Sequence, residues 1–134
     1  MVTLDEGMPR RAVYVPAYSH VYSNGGQAYL VETTLSIRNT DPQQAIVISA
    51  VRYFDTQGKL VKDHLAQALR LGPLESTEFL VEKRDVSGGS GANFVVEWSA
   101  EGAVNPPIIE AVMIGFAGSN SISLIRSGHP IDAE

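Results

Sequence analysis

The stretch that most restricts this chain runs from Leu30 to Leu60. It reads LVETTLSIR, then the break NTDPQQ, then AIVISAVRYF, then the turn DTQG. Side chains on a strand alternate between its two faces. Tyr29, Val31, Thr33, Leu35 and Ile37 fall on one face, and Leu30, Glu32, Thr34, Ser36 and Arg38 on the other. That is an apolar side and a polar side, rich in β-branched residues. From Ala45 to Phe54 both faces are apolar: Ile46, Ile48 and Ala50 against Val47, Val51 and Tyr53. A strand of that kind belongs in the middle of a sheet, covered on both sides. Asn39-Thr40-Asp41-Pro42 is turn chemistry, because Asn and Asp bond the local backbone and proline fixes φ. Asp55 to Gly58 is a second turn, with Gly58 free to take a positive φ.

A chain of 134 residues makes a single domain and can bury a core without staples. There is no cysteine, so disulfides and cysteine-based metal or redox sites are excluded. Fifteen acidic and ten basic residues give a net charge of −5. A nucleic-acid binder shows a basic patch; here Arg10-Arg11 and Lys83-Arg84 are short and have acidic neighbours, so no nucleic-acid partner is expected. No apolar run reaches membrane-spanning length. Met1 to Gly7 has no signal-peptide core. The compartment stays unknown, with export to the periplasm or cell envelope favoured over the cytoplasm if a leader has been removed.

Taken in order, residues 1–10 read as a flexible lead-in, 11–131 as the folded domain and 132–134 as a flexible tail. Ala12 to Pro16 is a short strand and apolar edge material. Ala17 to Gln27 reads as a loop carrying Tyr18, His20 and Tyr22 at alternate positions, either packed over the core or exposed as a recognition surface. Lys62 to Leu71 is expected to be an irregular connection with one helical turn at most. Leu74 to Lys83 and Asn93 to Ser99 are strands, the second with Phe94, Val96 and Trp98 towards the core. Ile108 to Phe116 is apolar on both faces and reads as a second central strand. Its exception is Glu110, which shares a face with Ile108, Val112 and Ile114. Ser121 to Arg126 is the last strand. About eight short, mostly antiparallel strands separated by turn signals make an all-β, immunoglobulin-like sandwich.

YVPAYSH near the start, GGSGANFVVEW in the middle, and NPPIIEAVMIG with ISLIRSG near the end resemble an uncharacterised bacterial family, domain of unknown function 3124. The resemblance spans Ala12 to Ile131 and implies a bacterial β domain with no assigned activity. A looser likeness joins TTLSIRNTD, VRYFDTQGK and LGPLESTEFLV to immunoglobulin-like accessory domains on bacterial surfaces. Through YVPAY and LSIRNTD the chain is also weakly similar to the soluble transducer of cyanobacterial sensory rhodopsin.

Chemistry finds little purchase. His20, His64 and His129 are far apart in sequence, and a zinc site needs three or four converging ligands. Asp85 to Gly91 (DVSGGSG) lacks the lysine and following helix of a phosphate loop. Gly88 to Ala92 is no Gly-x-Ser-x-Gly elbow. No catalytic residue, metal or cofactor is assigned. A buried carboxylate must be paired, protonated, at a strand end or at an interface; Arg38, Arg52 and Arg126 are available as partners, and Arg52, equally odd in an apolar run, is the one expected for Glu110. The leading function is a non-catalytic module for protein interaction or self-assembly, since edges unblocked by charge invite strand addition. The alternatives are a small-ligand or metal-binding module using Tyr18, His20, Tyr22 and Glu110, and a hydrolase with an unfamiliar site.

Overall fold

The computed structural model describes residues 9–81 and 86–132. Lys83, Arg84, most of the expected lead-in and the last two residues of the tail lie outside them. The described residues form eleven strands: β1 (Arg11–Pro16), β2 (His20–Ser23), β3 (Gln27–Arg38), β4 (Ile46–Phe54), β5 (Leu60–Asp63), β6 (Leu69–Leu71), β7 (Ser76–Val81), β8 (Asn93–Ser99), β9 (Ile108–Ala117), β10 (Asn120–Ser127) and β11 (His129–Ile131). They build two antiparallel sheets. The first runs β11-β1-β8-β4-β5, with β6 also on β4; the second runs β10-β9-β3-β2, with β7 also on β3.

The expected strands around β3 and β4 are present, and their lengths explain the higher strand count. β3 has twelve residues. One of its edges is long enough for β2 against Gln27–Leu30 and β7 against Thr33–Arg38. β4 divides its edge in the same way, taking β6 at Ile46–Ile48 and β5 at Arg52–Phe54. The region expected to hold a helical turn is therefore two short strands joined by a loop, with no helix. Likewise His20–Ser23, read as loop, is one arm of a hairpin whose turn holds Asn24, Gly25 and Gly26 at positive φ.

The core lies between the sheets. Val31, Thr33, Leu35 and Ile37 of β3 point into it, as do Phe94, Val96 and Trp98 of β8. In β4 a register shift between Ile48 and Ala50 marks a bulge at Ser49. The extra residue resets the alternation. Ile48 then lies opposite Trp98, Val51 opposite Val96 and Tyr53 opposite Phe94, so Ile46, Ile48, Val51 and Tyr53 all face inward. Strict alternation had divided these residues between two faces.

β1 is not an edge strand. β8 flanks its whole length and β11 covers Ala12 to Tyr14 on the other side. The crossing from β10 to β11 is made at Gly128, whose N–H donates to the Ile109 carbonyl at 2.8 Å. A Cβ at Gly128 would lie 2.4 Å from Val13 Cγ1, so the chain changes sheets where no side chain fits.

Candidate interaction face

β9 decides which surface of the second sheet is unusual. Ile109, Ala111, Met113 and Gly115 point inward and are buried. Ile108, Glu110, Val112, Ile114 and Phe116 therefore point out. A Cβ at Gly115 would stand 2.4 Å from the Leu30 carbonyl oxygen of β3, which accounts for a glycine on the packed side. Ile109 and Met113 fill the core beside the small Ala111 and Gly115, while Ile108, Val112, Ile114 and Phe116 lie on the solvent side.

The outer face is consequently apolar in a connected way. Leu80 lies opposite Thr34, Thr34 opposite Val112, and Val112 opposite Ile125, one row across β7, β3, β9 and β10. Ile114 and Phe116 continue it along β9, with relative exposures of 46% and 62%; Ile125 is 61% exposed. Directly opposed residues on one face sit about 5 Å apart, so these side chains form one surface. Its polar members are Thr34 within that row, the Glu78–Ser36–Glu110–Ser127 row, Glu32 and Ser123 on either side of Ile114, Ser121 opposite Phe116, and Arg38 between Ser76 and Ile108. Isolated exposed apolar residues are ordinary, whereas a contiguous patch marks an interaction site.

Glu110 is thus no buried anomaly. It is a half-buried carboxylate on the solvent side of its sheet, flanked by Ser36 and Ser127. The expected Arg52–Glu110 pair is absent. Arg52 is on the outer face of the first sheet, between inward-pointing Val51 and Tyr53, and Glu110 is on the outer face of the second. The thickness of the sandwich separates them. Arg52 instead donates from Nη1 to Glu97 Oε2 at 2.5 Å, with Asp63 Oδ2 3.8 Å from its Nε.

His20 and Tyr22 come together and Tyr18 meets Arg126, so the polar atoms of all three are engaged locally. The Ser19 hydroxyl lies 3.1 Å from His20 Nδ1, and His20 Nε2 is 3.0 Å from the Tyr22 hydroxyl. The two rings meet edge to face at 5.2 Å. The Tyr18 hydroxyl accepts from Arg126, whose guanidinium also lies over the Tyr18 ring. The Tyr18–Arg126 contact ties the segment before β2 to β10. Among the described residues no group of three or more His, Asp or Glu side chains is arranged to hold a metal ion.

Asp41 and His64, whose pKa values are displaced, lie away from the outer face. Asp41 accepts the N–H groups of Gln43, Gln44 and Asn105; Gln43 first, then Asn105 and Gln44, hold its carboxyl below the usual range. His64 packs between Phe79 of the second sheet and Phe94 of the first. Burial lowers its pKa, Lys62 acts in the same direction, and Asp63 opposes. Open depressions exist beside Gln43, Val47, Arg70 and Glu101, and between the β2–β3 and β9–β10 turns near Tyr29 and Ile122.

These features define an all-β sandwich with one apolar outer face. The chain belongs to the family described as a protein of unknown function (DUF3124), which matches residues 10–131. The fold is similar to the crystal structure of Thermotoga maritima 1070, with a TM-score of 0.52 and 14% sequence identity over 89% of this chain and 92% of that one. At that identity the likeness concerns the fold. No curated protein matches the chain. No helix among the described residues is long and apolar enough to cross a membrane.

The signal that would have located this face is Glu110 itself. In a strand apolar on both sides, the side bearing a carboxylate is the one that meets water.

Proposed function

We propose that this domain is a non-catalytic protein-interaction module whose contact surface is the outer face of the second sheet. The observation that carries the reading is the row Leu80–Thr34–Val112–Ile125, extended by Ile114 and Phe116. Apolar area left in water is unfavourable by roughly 25 cal/mol per Å², so covering this face with a partner supplies a driving force for association. The half-buried Glu110 and the exposed Glu32, Glu78 and Arg38 give the patch a polar border, the arrangement of a protein interface.

Site-specific photo-crosslinking in the source cells tests this reading. Benzoylphenylalanine at position 114 is expected to give a discrete protein adduct. The same probe at Gln57, on the β4–β5 turn, is expected to give none. Equal labelling from both positions, or no adduct from 114, contradicts the proposal.

A further inference from the structure

The two sheets offer four outer edges among the described residues, and three are guarded. β11 has three residues and contains Pro130, which has no N–H to donate. The β5/β6 edge is split into pieces of four and three residues and carries Lys62 and Asp63. The β2/β7 edge is split into pieces of four and six residues and carries Glu78. Short strands, charges and proline are the devices that block edge-to-edge pairing.

β10 is neither short nor broken by proline, and it carries no outward charge. It is eight residues long, NSISLIRS, with no proline and no register shift against β9. Its single charge, Arg126, has the inward parity of Ile122 and Leu124 and is held by the Tyr18 hydroxyl.

The backbone direction of this edge follows from one hydrogen bond. Gly128 donates to Ile109 in the register that pairs Ser127 with Glu110. Hydrogen-bonded pairs alternate along an antiparallel ladder. Residues 126, 124 and 122 therefore bond β9, and Ser121, Ser123, Ile125 and Ser127 turn their N–H and C=O groups to the open side. The same four side chains lie on the outer face.

We propose that β10 pairs antiparallel with β10 of a second copy of this chain, about a two-fold axis at Ile125, joining the two second sheets into one. This goes beyond the interaction-face reading: the contact between the two copies is the β10 edge, and the outer face stays open in the pair. In this register Ile125 meets Ile125 of the second copy, and Ser123 meets Ser127. Apolar lies opposite apolar and hydroxyl opposite hydroxyl, and each opposed pair presents its free backbone groups. A register shifted by one pair would set Ile125 against serine. The apolar row Leu80–Thr34–Val112–Ile125 then runs unbroken through both copies. No like charges face each other along the seam.

Sedimentation velocity of the full chain over a range of concentrations, with two classes of variant, tests the pairing. The wild type is expected to sediment as a dimer, at twice the 14.4 kDa chain mass. Ser123→Pro removes an outward N–H without taking a bond from β9, and is expected to return the monomer. Ile114→Glu, on the face and away from the seam, is expected to leave the dimer intact. Because the chain has no cysteine, Ile125→Cys supplies a single thiol. Opposed hydrogen-bonded residues lie about 5.5 Å apart at Cα, within disulfide reach, so mild oxidation is expected to give a covalent dimer even if Ser123→Pro folds poorly. A dimer lost with Ile114→Glu and kept with Ser123→Pro overturns edge pairing while supporting the face as the contact. A wild type monomeric at every concentration, with no disulfide from Ile125→Cys, overturns edge pairing and leaves the face to the photo-crosslinking result.

Discussion

Asp41 Oδ2 accepts the backbone N–H of Asn105 at 3.0 Å, joining the β3–β4 turn to the segment that leads into β9. Asp41 Oδ1 takes the N–H groups of Gln43 and Gln44, while Asn39 Nδ2 donates to the carbonyls of Gln44 and Gly72. One turn thus organises three chain segments at this end of the sandwich. Asp41→Ala removes three acceptor contacts at once and is expected to lower Tm by several degrees. The folded pKa of Asp41 is depressed. Its stabilisation is therefore present above the unfolded value of about 3.9 and is lost as pH falls through the folded value. Thermal melts of wild type and Asp41→Asn from pH 5 to pH 2 should converge as the acid limit is approached.

His64 gives a pH dependence of the same sign in a higher pH window. Its neutral form is favoured between Phe79 and Phe94, and among the described residues its buried Nε2 has no hydrogen-bond partner. Above about pH 6.5 the ring is neutral in both states and contributes no slope. As pH falls below that value the unfolded chain takes up the proton first, so stability declines until the folded pKa is passed. Melts of His64→Phe between pH 7 and pH 5 should show a shallower decline than wild type. An unchanged slope would remove His64 from the account.

Gly115 allows β9 to lie against β3. Gly115→Ala places a methyl group 2.4 Å from the Leu30 carbonyl, and backbone must shift to admit it. The expected cost is about 2 kcal/mol in chemical denaturation. Ala111→Gly on the same inner face serves as a contrast, since it deletes a methyl group where Gly115→Ala adds one.

The Arg52–Glu97 bond is partly shielded, with side-chain exposures of 37% and 16%. A double-mutant cycle with Arg52→Met and Glu97→Gln is expected to give a coupling of about 1 kcal/mol, above that of most fully exposed pairs. The corresponding cycle with Glu110→Gln should be additive within about 0.5 kcal/mol, because Arg52 and Glu110 occupy opposite outer faces.

The strands of β3, β4, β8 and β9 were legible because their alternation and β-branched content are local properties. What was not legible depends on the third dimension. Alternation states which residues share a face but not which face is packed. In β9, with apolar residues on both sides, size suggests the wrong answer: Ile108, Ile114 and Phe116 look like core, and Ala111 and Gly115 do not. The close approach of Leu30 reverses that choice. The bulge at Ser49 is equally invisible, since one extra residue resets every later position. His20 to Ser23 read as a loop because the serine and the glycine pair around it are turn chemistry, and the Ser19–His20–Tyr22 chain that orders the strand forms only once it is extended. The alternate placing of Tyr18, His20 and Tyr22 is a local property, whereas the contacts of His20 with Ser19 and Tyr22 and of Tyr18 with Arg126 depend on how the segment folds back on the sheet.

The central claim is that the outer face of the second sheet is covered when the protein works. Hydroxyl-radical footprinting of the protein inside its own cells, compared with the dilute purified chain, measures this directly. Leu80, Ile114 and Phe116 are expected to react readily in the dilute protein and to be several-fold protected in the cell, with buried Met113 little labelled in both and exposed Tyr22 unchanged. Equal labelling of Ile114 and Phe116 in the two conditions would show the face open to water in both, and would contradict the account.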